Sequence, residues 1–323
     1  MTCLTYGDEN VLRIEDRSSP EMKSGSVRMA VGAAGLNRAD LLQRQGFYPP
    51  PPGASEIFGL ECAGSVTELG SGVTDLATGA RVMALVAGGG HAEEAVVDRG
   101  SLLPVPDDFS AEEAGAFPEV YLTAYLNLFM LGSLDSGKSA LVHGGSGGVG
   151  TAAIQLAKEA GARVFVTAGS DDRCRRCCEI GAEIAVNYHD QDFENTCLEA
   201  TDHSGVDVVL DCIGGSYLGR NLKVLTTEGH LVVIGLMGGT TGELDLRRLL
   251  SKRIRIIGST LRALSLERKA EIVGSFLDRF GDAMEAGRLR PVIDSVYPME
   301  QVADAHRRLA SGEAFGKVVL TIG

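Results

Sequence analysis

Residues 139–160, SALVHGGSGGVGTAAIQLAKEA, decide how the rest of the chain is read. Ala140–His143 is a short apolar run that reads as a buried strand. Gly144–Gly150 is a glycine-rich turn. Val149, Ala152, Ala153, Leu156 and Ala160 then follow at the spacing of a helix packed on a sheet. Gly145, Gly147 and Gly150 fit G-x-G-x-x-G, and the strand before and helix after give that pattern its meaning. The glycines permit a tight turn and close approach of backbone to a pyrophosphate. The free N–H groups and positive dipole end of the helix hold the phosphates.

Around this unit, strands and helices alternate. Strands are expected at Ala140–His143, Arg163–Ala168, Ile184–Val186, Val206–Asp211, Leu231–Ile234 and Arg255–Ile257. Helices are expected at Gly148–Ala160, Asp172–Ile180, Gln191–Thr201, Tyr217–Val224 and Leu246–Ser251. That alternation specifies an α/β, doubly wound parallel sheet. Residues 1 to about 115 are instead β-rich and glycine-punctuated, as in a small barrel. Their strands are expected at Val11–Glu15, Ser26–Ala33, Gly59–Leu69, Ala80–Leu85 and Ala95–Val97, with one helix at Arg38–Gln45. Pro49–Pro52 form a rigid loop with Tyr48 at its entrance. Ser110 caps a helix with acids in its first turn, and Tyr121–Leu131 continues as a helical segment. Ser265–Ala286 and Met299–Ser311 read as helices. Strands at Ile293–Val296 and Lys317–Ile322 return to the first domain.

The 323 residues exceed what one core usually holds, so two domains are expected. A net charge of −13 argues against nucleic acid or an anionic membrane as a partner. No apolar run reaches the roughly 18 residues needed to span a bilayer. The N-terminus shows neither the basic nor the apolar region of a secretory signal. Seven scattered cysteines fit a reducing, cytoplasmic setting. Cys174, Cys177 and Cys178 lie within one helical turn, but no second ligand cluster follows.

The choice of dinucleotide is read one strand further on. An NAD site places an acid about 20 residues past the first glycines, on the ribose 2′-OH. That count reaches Thr167, Ala168, Gly169 and Ser170, with no acid among them. Ser170 and Arg173 suit a 2′-phosphate, so NADPH is expected, with Asp171 and Asp172 pointing outward from the next helix.

Four segments now carry a resemblance: LNRADLLQRQGFYPPPPGAS (36–55), GLECAGSVTELG (59–70), HGGSGGVGTAAIQLAKEAGARVFVTAGS (143–170) and LDCIGGSYLGRNL (210–222). GKVVL (316–320) adds to them. The chain resembles the zinc-free, zeta-crystallin-like quinone oxidoreductase branch of the medium-chain dehydrogenase/reductase superfamily. The resemblance implies a GroES-like β-barrel catalytic domain over 1–115, completed by 262–323. It implies a Rossmann cofactor domain over 116–261, and a homodimer joined by Rossmann edge strands at Arg255–Leu261. It places the pyrophosphate at Ser146, Gly147, Gly148 and Val149, and the 2′-phosphate at Ser170 and Tyr188, with Arg173 replacing a family lysine. Asn37, Thr123, Cys212, Ile213, Gly235 and Leu236 fall on the nicotinamide side. Ser259, Thr260 and Leu261 match a loop closing over the cofactor, and Lys317 stands where the family also has lysine.

Zinc enzymes of this superfamily carry an early barrel cysteine, a His-Glu pair and a four-cysteine lobe. Here Asn37 or a neighbour takes the first place, Leu60-Glu61 takes the second, and residues 85–97 contain no cysteine. No metal site is therefore expected. Oxidising an alcohol needs a metal or base to make an alkoxide, whereas a quinone is already electrophilic. The expected enzyme is an NADPH-dependent quinone oxidoreductase, with Asn37 and Tyr48 as donors to the quinone oxygen and Phe47 in the slot's wall. Two alternatives stand beside it. One is an enone or enoyl reductase, which needs a positioned acid such as Tyr48. The other is a cofactor-binding structural protein with vestigial activity. His143 reads as a satisfied structural histidine, and Asp40 and Glu61 as members of internal polar networks.

Overall fold

The computed structural model describes residues 1–3 and 5–323. The chain divides into two units, one of Met1–Leu122 with Leu261–Gly323 and one of Thr123–Thr260.

The second unit is a six-stranded parallel sheet. In spatial order its strands are Ile184–Asn187, Arg163–Ala168, Ser139–His143, Val206–Asp211, Leu225–Val233 and Arg255–Gly258. Numbered along the chain, that is 3-2-1-4-5-6, the doubly wound order whose switch point lies between the first and fourth strands. Leu141, Phe165, Val186, Val209 and Leu231 are sealed in one core with Phe193 and Leu222 from the covering helices. All six expected strands form. Leu231–Ile234 proves to be the end of a longer strand that starts at Leu225. The helix Gly148–Glu159 buries Ala152, Ala153 and Leu156 from the face its spacing assigned, and Ala157 with them, while Val149 and Ala160 are half-buried. Cys174 and Cys177 pack inward from the helix Asp171–Ile180 while Cys178 faces solvent, and all seven cysteines are free thiols.

The first unit is a seven-stranded sheet, antiparallel except for one pair. Its path runs Ile293–Pro298, Lys317–Thr321, Ser26–Gly35, Glu61–Leu69, Arg81–Leu85 and Leu102–Pro104, with Glu94–Asp98 also paired to Ser26–Gly35. The C-terminal strand Lys317–Thr321 joins the N-terminal strand Ser26–Gly35, as expected of a chain that returns to its first domain. Val27, Met29, Val31, Cys62, Val82, Val318 and Leu320 form its core. At Gly64 a Cβ would stand 1.8 Å from the Ala30 carbonyl oxygen, so only glycine lets these two strands close.

Two expectations need correction. Val11–Glu15 forms only a two-residue strand, Leu12–Arg13, because the Asp8 carboxylate takes the Asn10 N–H and starts a 3-10 turn over Glu9–Val11. The segment read as a helix over Tyr121–Leu131 starts earlier, at Pro118, where a missing N–H costs nothing. It runs as α-helix to Tyr125 and widens to a π-helix over Leu126–Leu131. The Ser110 cap is a full capping box with Glu113.

Candidate functional site

In the parallel-sheet unit, the residues expected to hold a dinucleotide follow the carboxyl ends of the strands, where ligands of such sheets bind. Gly144–Gly150 follows the strand ending at His143, and Ser170 with Arg173 follows Ala168. Tyr188 follows Asn187, and Cys212 with Ile213 follows Asp211. Gly235 and Leu236 lie beyond Val233, and Ser259 and Thr260 beyond Gly258.

The glycine loop fits a pyrophosphate. A Cβ on Gly145 would meet Val166 at 2.6 Å, and one on Gly150 would meet the Gly144 carbonyl oxygen at 2.3 Å. A Cβ on Gly147 would meet nothing nearer than 3.5 Å, so the open face of the turn lies there. Gly148 and Val149 head a 12-residue helix, so their N–H groups lack intrahelical acceptors. The turn is held from below. Gly145 donates to the Thr167 carbonyl oxygen at 2.9 Å and Gly144 to Thr167 Oγ1 at 3.3 Å. His143 is satisfied between Thr167 Oγ1 at 3.1 Å and Asn221 Oδ1 at 2.8 Å, as a structural histidine should be. Burial pushes its pKa down to about 4, so it stays neutral under the loop.

The second strand end gathers the donors of Ser170, Arg173 and Tyr188. Ser170 caps the helix Asp171–Ile180, its Oγ accepting the Arg173 N–H at 3.4 Å and its own proton remaining to donate. Beside Gly169, a Cβ would stand 2.7 Å from Tyr188 Oη and 3.5 Å from Arg173 Nη1, so phenol and guanidinium converge on one backbone position. Arg173 makes no ion pair among the described residues. The two nearby acids are engaged elsewhere. Asp171 accepts from Asn187 Nδ2 at 2.8 Å, and Asp172 pairs with Arg175 at 2.6 Å.

At the fourth strand end, Asp211 is buried and turns the chain by accepting the Ile213 and Gly214 N–H groups at 2.7 and 3.1 Å. Cys212 Sγ donates to the His143 carbonyl oxygen at 3.3 Å and lies against Gly144. Leu236 is exposed. Thr123 is half-buried, its carbonyl oxygen accepting from Asn127 Nδ2 at 2.7 Å.

In the barrel unit, Asn37 and Lys317 meet at a buried carboxylate. Lys317 Nζ donates to Glu61 Oε1 at 2.6 Å, Asn37 Oδ1 at 2.7 Å and the Leu36 carbonyl oxygen at 2.7 Å. Asn37 Nδ2 donates to Glu61 Oε1 at 2.8 Å and only weakly to the Gly35 carbonyl oxygen at 3.5 Å. Glu61 Oε2 takes the Glu119 N–H at 2.9 Å. Asp40 accepts the N–H groups of Asn37 at 2.8 Å and Gly59 at 3.2 Å. Asp40 and Glu61 are thus members of an internal network, as read from the sequence.

Tyr48 is fixed by an arginine that sequence reasoning missed. Arg262 is 3% exposed and donates to the Tyr48 carbonyl oxygen at 3.0 Å, Gln43 Oε1 at 2.7 Å and the Ala87 carbonyl oxygen at 2.7 Å. Its guanidinium carbon lies 5.3 Å from the centre of the Tyr48 ring. Lys269 braces it through the Arg262 carbonyl oxygen at 2.9 Å. Burial, and then the Glu119 charge, push the Tyr48 phenol up. Phe47, expected in a slot wall, stands 77% exposed. Leu261 is buried.

Glu119 was also missed. Its Oε2 is buried without a hydrogen-bond partner among the described residues. Burial, and then Glu61, push its carboxyl up to about 8. The only signal in the sequence is one acid within an otherwise apolar stretch, GAFPEVYLTAY.

Comparison with known proteins agrees with both units. Residues 23–107 match the alcohol dehydrogenase GroES-like domain, and residues 148–278 match the zinc-binding dehydrogenase family. The human quinone oxidoreductase is 30% identical over 98% of this chain and 95% of its own length. The chain belongs to the medium-chain dehydrogenase/reductase superfamily. Within this superfamily its relatives and structural neighbours place it in the quinone oxidoreductase branch. The human synaptic vesicle membrane protein VAT-1 homolog is 33% identical over 98% of this chain and 85% of its own length. A phenolphthiocerol/phthiocerol polyketide synthase of Mycobacterium tuberculosis is 32% identical, but this chain spans only 14% of its length. Among solved structures, Escherichia coli quinone oxidoreductase complexed with NADPH aligns with a TM-score of 0.85 at 26% identity, covering 98% of each chain. CurK enoyl reductase aligns with a TM-score of 0.86 at 26% identity, covering all of this chain and 98% of its own. This medium-chain oxidoreductase therefore has a GroES-like domain and a Rossmann sheet built for a nicotinamide cofactor.

Proposed function

We propose that this oxidoreductase is an NADPH-dependent quinone reductase working without zinc. The observation that carries the cofactor choice is the cluster of Ser170, Arg173 and Tyr188 around Gly169, with Asp171 and Asp172 held by Asn187 and Arg175. A free guanidinium with two hydroxyls beside it matches a 2′-phosphate. A carboxylate aimed at the same place would instead select NADH.

When bound, the nicotinamide supplies hydride. The chain supplies position and polarity. Gly148 and Val149 N–H groups hold the pyrophosphate, and Cys212, Ile213, Gly235, Leu236, Thr123 and Ser259–Leu261 hold the nicotinamide end. Lys317 and Glu61 lock the Asn37 amide, leaving its weakly used N–H for a quinone oxygen. The Tyr48 phenol, held protonated by its surroundings, is the second donor. The enone reading keeps a place beside this one, because the neutral phenol and the CurK neighbour both suit an acceptor that must be protonated on carbon.

A homodimer is part of the same reading. The edge strand Arg255–Gly258 carries the exposed Ile256, and the preceding helix exposes Leu246 and Leu250. A cytoplasmic setting goes with it; no helix of the described residues is long and apolar enough to cross a membrane. The test follows oxidation of NADPH and NADH with ortho-quinones, para-quinones and α,β-unsaturated carbonyls. Turnover of quinones with NADPH favoured over NADH is expected. NADPH binding without turnover of any acceptor would reject the enzyme reading.

A further inference from the structure

The reduction of a quinone or an enone consumes a proton as well as a hydride, and the barrel unit holds one carboxyl group that its own contacts do not explain. Glu119 is pinned through its backbone, whose N–H donates to Glu61 Oε2 at 2.9 Å. Glu61 Oε1 in turn receives Asn37 and Lys317. Glu119 thus joins the cluster that orients Asn37 through its backbone, while its side-chain Oε2 is buried and unpartnered among the described residues. A carboxylate left this way carries an unpaired buried charge, which is costly. A neutral carboxylic acid carries one O–H to donate instead.

The surroundings favour the neutral form. Glu61 from one strand and Asp40 from the first helix repel a charge at Glu119. Lys317 from the last strand and Lys269 from the long helix oppose them, and burial outweighs both cations. Tyr48 and Arg262 lie within electrostatic reach on the proline-loop side, since each is shifted by the Glu119 charge. Lys269 is itself occupied by the Arg262 carbonyl oxygen, and Lys317 by three acceptors. Neither ammonium forms an ion pair with Glu119.

We propose that Glu119 is the internal acid that protonates the reduced acceptor. The inference rests on the reductase reading above. NADPH is the two-electron reductant, and the hydride leaves the acceptor as an anion, a hydroquinone monoanion or an enolate. The O–H bond of Glu119 breaks and a new O–H or C–H bond forms on the acceptor. The Glu119 carboxylate then takes a proton from water. Lys269 and Lys317 stabilise that transient charge without being close enough to trap it. A neutral acid inside the barrel extends the acceptors to α,β-unsaturated carbonyls, whose α-carbon is protonated slowly by water alone.

The test compares wild type, Glu119→Gln and Glu119→Asp with NADPH against a para-quinone and a 2-methyl enone. NADPH affinity is titrated first by nicotinamide fluorescence, and should stay within about twofold across all three. With the enone, Glu119→Gln should lose about a hundredfold or more in kcat with KM little changed. It should also lose the fall in kcat/KM that wild type shows as pH rises through 8. Glu119→Asp should recover part of the rate. In deuterium oxide the wild type should deliver deuterium to one face of the α-carbon and the glutamine variant to both. Independently of turnover, the infrared spectrum at pH 7 should hold a carboxylic-acid carbonyl band that Glu119→Gln lacks. Glu119→Gln turning over with wild-type kcat and facial selectivity, or the absence of that band, overturns the proposal. Wild type inactive on both acceptors rejects the reductase reading and the proposal with it.

Discussion

Replacing Lys317 with methionine should cost about 3–5 kcal/mol of stability, because it leaves a carboxylate sealed and unpaired. The ammonium and the Glu61 carboxylate are 3% and 0% exposed, and their contact is 2.6 Å. All three ammonium donors are used, on Glu61, Asn37 and the Leu36 carbonyl oxygen. Methionine fills the space of the lysine stem, so the loss is the charge and its three hydrogen bonds rather than a cavity. Among the described residues, Glu61 then keeps only the Asn37 amide and the Glu119 N–H as donors. The double variant Glu61→Gln/Lys317→Met removes the stranded charge. It should recover about 2–3 kcal/mol of the loss, the coupling expected of two groups in direct contact. Urea unfolding at pH 7, followed by circular dichroism across the four members of the cycle, measures both numbers. Lys317→Met within about 1 kcal/mol of wild type would refute the reasoning, since a broken buried pair costs several times that. So would a double variant no more stable than the single one.

Two other expectations follow from the same distances. Gly150→Ala would put a methyl group 2.3 Å from the Gly144 carbonyl oxygen; it should weaken NADPH binding at least tenfold by titration and lower the melting temperature. Glu119 has a carboxyl raised from 4.5 to about 8 in the fold, so its contribution to stability is fully present below pH 4.5 and is lost as pH rises to 8. Wild type should therefore lose about 3–5 kcal/mol more than Glu119→Gln between pH 4.5 and 9, read from urea midpoints.

The parallel sheet was legible because its signals are local. Each strand is a short apolar run, each turn carries glycine or a capping residue, and the helix after Gly150 shows its buried face in its spacing. The barrel was legible mainly as a set of strands. Its register depends on close approaches such as Gly64 on Ala30, which a sequence shows only as one more glycine. The candidate site divided in the same way. Gly144–Gly150, Ser170 and Arg173 stand at fixed offsets from recognisable strands, and Asp40 and Glu61 announce themselves as charges in apolar surroundings. Arg262 and Lys269 lie more than 200 residues from Gln43 and Tyr48, which Arg262 pins, so no local pattern links them. Glu119 differs from an ordinary first-turn helix acid only in what surrounds it after folding.

The reading as an NADPH-dependent enzyme stands most directly on Arg173. Fluorescence titration of NADPH and NADH into wild type and Arg173→Ala separates the 2′-phosphate from the rest of the dinucleotide. A charge-assisted hydrogen bond of about 1.5–3 kcal/mol corresponds to roughly ten- to a hundredfold in affinity. Wild type should bind NADPH tighter than NADH by at least about that lower factor. Arg173→Ala should lose most of the difference while its NADH affinity stays put. Equal affinity of wild type for the two dinucleotides, or a variant that loses both alike, would contradict the account.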